Sequence, residues 1–172
     1  CNTAGQPVSQ TEVSIRSVDD NHTVGIGIVG EICARGPCVM LGYNDNPKAT
    51  SETVDAKGWL HTGDLGLMDA RGYVTVTGRV KEMIIRGGEN HFPKEIENCL
   101  LEHPDVAEVA VVGLPDEKWG ELIGAFIRSS KPIDIEKLKK HCRRSLSPQK
   151  TPNIWVRVEG LPLTWAGKRQ KF

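Results

Sequence analysis

The spacing of apolar residues changes near residue 81, and this change constrains the fold more than any other feature of the chain. Before it, Thr11 to Val18, Gly30 to Arg35 and Gly72 to Thr77 alternate polar with apolar side chains. A period of two is the pattern of a half-buried strand. One helix interrupts the run, expected over Lys48 to Val54 with Asn46 as cap and Pro47 at its first position. After residue 81, strands and helices alternate. Met83 to Ile85 reads as a short strand, and Pro93 opens a helix with Ile96, Cys99 and Leu100 on one face. Val106 to Gly113 and Leu122 to Ser129 are strands, Asp134 to Ser145 is a second amphipathic helix, and Ile154 to Val158 is a last strand. The expected class is α+β, with a boundary near Lys81 separating residues 1–80 from residues 81–172.

Composition narrows the function. Lys+Arg and Asp+Glu are both 22, for a net charge of zero, without the basic excess of a general nucleic-acid binder. No apolar run approaches the roughly 20 residues that span a bilayer, so no transmembrane segment is expected. The 5 cysteines form no Cys-x-x-Cys pair, and the histidines form no His-x-x-x-His pair. These counts favour reduced thiols in an intracellular, reducing compartment, cytoplasm or mitochondrial matrix, and identify no metal ligand.

Two familiar patterns fail on context. Gly25-Ile-Gly-Ile-Val-Gly30 has the letters of a dinucleotide fingerprint, but a polar turn precedes it and a strand pattern follows. The fingerprint requires a helix there, so that its N-terminus meets the pyrophosphate. Gly160 to Lys168 has the wrong spacing for a phosphate loop, and Arg169 stands where Ser or Thr is required.

Four glycine-rich polar patterns remain, in order along the chain. They are Gly30-Glu31-Ile32 with Arg35-Gly36 and Met40-Leu-Gly-Tyr43; Trp59-Leu-His-Thr-Gly-Asp64; Gly78-Arg79-Val-Lys81 through Arg86-Gly87-Gly88-Glu89-Asn90; and Pro162-Leu-Thr164 with Gly167-Lys168. Their order and spacing resemble the adenylate-forming superfamily, and specifically AMP-forming acyl-CoA synthetases, with wording nearest to medium-chain fatty-acyl-CoA ligases.

The resemblance implies a two-step reaction. A carboxylic acid is activated by ATP to an acyl adenylate with release of pyrophosphate, and the acyl group then passes to CoA with release of AMP. Residues 1–80 would be the last, β-rich subdomain of a large AMP-binding N-terminal domain. Residues 81–172 would be a small mobile C-terminal domain with a three-stranded sheet flanked by helices. Asp64 matches an aspartate that accepts hydrogen bonds from the ribose hydroxyls; by local sequence it is equally a turn residue. Arg79 matches an arginine at the ribose and phosphates, whose planar fork suits oxygen-rich anions. Lys81 falls at the hinge. Arg86, Gly87, Gly88, Glu89 and Asn90 match a loop lining the pantetheine tunnel, where glycines permit close backbone approach; by local sequence this is a turn. Lys168 matches the lysine of the adenylation step, which stabilises developing negative charge; by local sequence it is a solvated lysine near a terminus.

Trp165, Ala166 and Arg169 depart from the usual residues of the last motif, and Gln149-Lys150-Thr151-Pro152 lacks an aromatic often found there. The resemblance places an ATP phosphate loop and a magnesium-associated glutamate upstream of Cys1. The chain is therefore expected to be a C-terminal fragment, inactive alone and partnered with the missing N-terminal part. ATP, CoA and Mg would serve the complete enzyme. An aryl-CoA ligase acting on a benzoate-like acid stays open, as does a non-catalytic nucleotide- or CoA-binding module from a truncated paralogue. Lys137, Lys139, Lys140, Arg143 and Arg144 form a basic helix face, suited to the CoA 3′-phosphate, to a membrane surface, or simply to solvent.

Overall fold

A computed structural model describes residues 3–162 of the chain. It divides after Lys81 into two compact units. The architecture is α+β, and no helix among the described residues is long and apolar enough to cross a membrane.

The first unit is an antiparallel sheet in chain order: β1 (Glu12–Arg16), β2 (Gly30–Arg35), β3 (Leu60–Met68) and β4 (Val74–Arg79). Helix α1 (Pro47–Thr53) lies between β2 and β3, and its first amide needs are met as its sequence dictates. Asn46 Oδ1 accepts from Ala49 N at 3.0 Å, and Pro47, which has no N–H to satisfy, takes the first position. Ile15, Cys33, Trp59, Leu65 and Val74 are buried. Trp59 lies between two guanidinium groups, Arg16 at 4.4 Å and Arg35 at 4.6 Å from the ring.

The second unit begins with the hairpin β5 (Ile84–Arg86) and β6 (Glu89–His91). Helix α2 (Pro93–Leu101) leads to the long hairpin β7 (Glu108–Asp116) and β8 (Gly120–Arg128). Helix α3 (Ile135–Ser145) then crosses over to β9 (Ile154–Val158), which pairs with β8 in parallel. A parallel neighbour requires such a crossover. The expected three strands are β7, β8 and β9, and the β5–β6 hairpin extends the sheet to five through the Arg86–Gly120 pairing.

Alternation along β7 and β8 builds the core. Val109, Val111, Ile123, Ala125 and Ile127 are fully buried and cluster with Ile96 and Leu100 of α2 and with Leu138 and Cys142 of α3. Burial of such side chains is worth about 1.5–3 kcal/mol each. Glu97 adds a polar link inside this layer, accepting the Val111 N–H at 3.0 Å. Asp134 caps α3 by accepting from Lys137 N at 3.1 Å. Ala110, Val112, Leu114 and Phe126 point to the other face, where they line an apolar groove of about 370 Å³ with Val158 and Leu161.

Candidate functional site

Asp64 stands on a distortion of β3. Across β2, Glu31 pairs with Leu65 while Cys33 pairs with His61. Four steps along β3 therefore face two along β2, and the surplus is taken up by Thr62, Gly63 and Asp64 as a bulge. Gly63 has φ 71°, a left-handed conformation open to glycine at little cost. The Thr62 hydroxyl donates to Ile32 O at 2.7 Å and accepts from Asp64 N at 3.1 Å, replacing ladder bonds that the bulge removes.

The next strand brings Arg79 directly opposite Asp64. Arg79 Nε forms an ion pair with Asp64 Oδ1 at 3.0 Å, with the arginine side chain 65% and the aspartate 33% exposed. The second carboxylate oxygen has no bonding partner among the described residues. Asp64 also lines a shallow depression of about 280 Å³ with Val13, Ile32, Thr62, Val74 and Val76. An acceptor oxygen beside apolar walls, next to a permanently charged donor fork, has the chemistry to hold a hydroxylated, anionic ligand.

Below the bulge, Glu31, Cys33 and His61 bring their ligating atoms within 4.8 Å of one another. Sequence reasoning assigned no metal ligand, and it gave Glu31 and His61 no role. The three groups are already bonded to the fold. Glu31 Oε2 lies 2.7 Å from His61 Nδ1, and Oε1 accepts from Gly63 N at 2.9 Å. Burial pushes the Cys33 thiol up to about 11, with the Glu31 carboxylate adding to the effect. Beyond His61, Asp55 is held below its ordinary value. Burial raises it, but the Trp59 and Lys57 amides, with Arg16 and His61, outweigh that effect.

The glycine pair of the third motif forms the tip of the β5–β6 hairpin, where Arg86 pairs with Glu89. Gly87 and Gly88 have φ 61° and 83°. Positive φ at both central residues defines the tight turn whose twist suits a two-residue hairpin. The expected turn is present, with β6 between it and the helix. Gly87 is exposed but closed on its Cβ side: an added Cβ would lie 2.9 Å from the Trp119 ring, and Gly87 N donates to Trp119 O at 2.8 Å. Arg86 lies over the same ring at 5.2 Å and donates to Gln149 O at 3.0 Å. Glu89 is exposed and Asn90 half-buried.

Lys81 is exposed within a 3-10 turn, Val80–Glu82, that straddles the division between units. Lys168, with Thr164 and Gly167, lies outside the described residues. On α3, Lys137 and Lys139 are answered by Asp134 and Glu136, which leaves Lys140, Arg143 and Arg144 without ion pairs among the described residues. Cys33, Cys38, Cys99 and Cys142 are free thiols.

Residues 95–168 match the AMP-binding enzyme C-terminal domain. Over 172 residues the chain is 42% identical to a putative acyl-CoA synthetase, YngI, of Bacillus subtilis, covering 99% of this chain and 31% of that protein. Over 170 residues it is 45% identical to the mitochondrial medium-chain acyl-CoA ligase ACSF2 of Mus musculus, covering 98% and 28%. The solved structure of o-succinylbenzoate CoA synthetase, MenE, from Bacillus subtilis, in complex with the acyl-adenylate intermediate OSB-AMP, superposes with a TM-score of 0.88. It is 36% identical and covers 98% of this chain and 34% of that one. The chain thus spans less than a third of the length of either curated relative. Residues 95–168 of the chain thus carry the AMP-binding enzyme C-terminal domain, and in both sequence and fold the chain is similar to part of adenylate-forming acyl-CoA synthetases.

Proposed function

We propose that this chain forms part of an acid–thiol ligase that activates a carboxylic acid, most simply a medium-chain fatty acid, with ATP and passes it to CoA. The observation that carries the reading is the Asp64–Arg79 pair on the β3 bulge, in a chain whose relatives are named as acyl-CoA ligases.

In the first step a carboxylate oxygen attacks the α-phosphorus of ATP and the bond to pyrophosphate breaks. Asp64 accepts hydrogen bonds from the ribose hydroxyls, for which its unpartnered oxygen is available. Arg79, two-thirds exposed, donates to ribose and phosphate oxygens. Lys168 offsets the negative charge that develops on the carboxylate and α-phosphate oxygens. In the second step the CoA sulfur attacks the acyl carbon and AMP leaves. The Gly88 end of the Gly87–Gly88 tip suits close backbone approach to the pantetheine arm, because no Cβ stands on its open side. Arg86, Glu89 and Asn90 flank it. Residues 1–80 act as the end of a larger nucleotide-binding domain and residues 81–172 as a lid, with Lys81 at the joint. Magnesium accompanies ATP in this reading, and no carboxylate of this chain is assigned to it. The free thiols favour a reducing compartment, and the mouse relative is named as mitochondrial.

An aromatic acid is the alternative substrate, favoured by the likeness to a succinylbenzoate-CoA synthetase. Pyrophosphate release by the full-length enzyme, with ATP and either octanoate or benzoate, separates the two. Octanoate is expected to give the higher kcat/KM. Lys168→Ala is expected to slow acyl-adenylate formation by about a hundredfold or more while sparing thioester formation from supplied acyl adenylate. Equal loss in both steps contradicts the division of labour. Turnover with neither acid favours a non-catalytic binding module.

A further inference from the structure

We propose that Glu31 is a positioning residue that fixes Asp64 for nucleotide binding by locking the β3 bulge from the neighbouring strand. The inference rests on the ligase reading and adds to it a group that touches neither substrate.

A bulge that displays a side chain must be over-determined, because it gives up ladder bonds and leaves its amides to find other acceptors. Gly63 is the weak point. It sits at φ 71° and nothing lies within 4 Å of where its Cβ would be, so no side chain there anchors the turn. The Glu31 carboxylate compensates from β2. Its Oε1 takes the Gly63 N–H at 2.9 Å, in the Thr62–Gly63 peptide, one residue before Asp64. Its Oε2 is tied to His61 Nδ1 at 2.7 Å, on the residue where regular pairing resumes. One side chain therefore clamps both sides of Thr62, and Thr62 itself bonds the Asp64 amide at 3.1 Å. The clamp is well shielded, with Glu31 16% and His61 23% exposed, which strengthens hydrogen bonds to a charged acceptor. His61 is steadied in turn by Asp55, whose Oδ2 lies 4.0 Å from Nε2 and whose Oδ1 accepts from Trp59 N at 2.9 Å.

The two pins differ in what they restrain. Thr62 bonds Ile32 O, so it fixes the height of the bulge over β2. Glu31 holds the Thr62–Gly63 peptide plane, which sets the direction from which the chain enters Gly63 and, through it, Asp64. Removing it frees the glycine to rotate and lets the Asp64 carboxylate swing while leaving the Arg79 pairing chemically possible. The expected consequence is a loss of discrimination between nucleotides rather than a loss of all binding.

The experiment uses the full-length ligase and the ratio of kcat/KM for ATP over 2′-deoxy-ATP. In the parent enzyme a charged acceptor facing the ribose is expected to give a ratio of about ten or more. Asp64→Ala should bring it to near one. Glu31→Ala should reduce it to about twofold, and the Glu31→Ala/Asp64→Ala double variant should be no worse than Asp64→Ala alone, because both act through the same bond. Glu31→Gln keeps an acceptor for Gly63 and a donor for His61, and should restore most of the ratio. Should alanine at 31 prevent folding, His61→Ala loosens the same clamp and should lower the ratio about threefold. A merely structural Glu31 would depress both nucleotides equally and leave the ratio intact, which overturns the proposal. A fully additive double variant overturns it too. A parent enzyme indifferent to Asp64→Ala removes the ligase reading as well, whereas an effect of Asp64→Ala with none of Glu31→Ala removes the positioning role alone.

Discussion

The two units offer a ligand different parts of the chain. In the first, the proposed binding groups are the Asp64 and Arg79 side chains, fixed by cross-strand pairing and by a bulge with its own hydrogen bonds. In the second, they are backbone atoms at a glycine turn, supported from beneath by Trp119. A side-chain site can stand on a distorted main chain provided that hydrogen bonds hold the distortion, as they hold the bulge. A backbone site has no such reserve, so its precision lies in φ and ψ. The first should therefore be sensitive to changes of charge and the second to changes of shape.

Asp64→Ala should break the first site most severely. Two hydrogen bonds to a charged acceptor are worth about 1.5–3 kcal/mol each, so kcat/KM for ATP in the full-length enzyme should fall by about a hundredfold or more. Steady-state kinetics with and without CoA would show the loss in adenylation. Survival of normal ATP use would remove the contrast between the units.

Gly87→Val should act in the opposite way. Its φ of 61° is strained for a branched residue, and the added Cβ meets the Trp119 ring at 2.9 Å. The left-handed conformation alone costs about 1–2 kcal/mol, so thioester formation from supplied acyl adenylate should slow by about tenfold or more. Adenylation should change little. Equal effects on both steps would show that the tip serves more than the second.

The smallest effect concerns the base of the same hairpin. The His91 side chain is buried without a hydrogen-bond partner among the described residues, and burial holds its pKa below 6.5. Glu89 and Glu95 partly oppose that shift, while Arg86 and Lys150 reinforce it. The unfolded histidine accepts a proton near 6.5, where the folded one still resists. Stability is therefore full above that value and declines as pH falls below it, by at most about 1.4 kcal/mol per pH unit. Urea unfolding of this chain near pH 7.5 and near pH 5.5 should show the decline, and His91→Leu should flatten it.

How far these features can be read from sequence depends on how local their causes are. Asn46, Pro47 and Asp134 cap helices through bonds to residues at most three positions away, and the helices lie where those residues place them. Gly87-Gly88 likewise carries its own turn. Strand β3 has no such local sign. Its bulge breaks the period of two over Thr62 to Asp64, and its nine residues read as a polar motif rather than a strand. The partners that make it a strand lie about thirty positions away on β2. Glu31 illustrates the limit. It was visible in the Gly30-Glu31-Ile32 pattern, but its significance depends on register, which no local window contains. The sole clue was an acidic residue inside an alternating strand. Asp64 and Arg79 could be named from their motifs, yet their direct opposition depends on a register shift between Leu65 and Gly66 that no motif announces.

The tryptophans give the chain a built-in optical contrast. Trp59 is 8% exposed between the Arg16 and Arg35 guanidiniums, whereas Trp119 is 43% exposed beside the Gly87 tip. A small dissolved quencher such as iodide reaches the second indole far more readily than the first. Two further tryptophans also emit, Trp155 half-buried on β9 and Trp165 outside the described residues, so the contrast is read cleanly once both are replaced by phenylalanine. Emission that can be quenched then comes mainly from the hairpin end of the second unit, and the protected fraction carries the signal of the first. A ligand covering the glycine tip would shield Trp119, so its arrival could be followed by light alone, with no label attached.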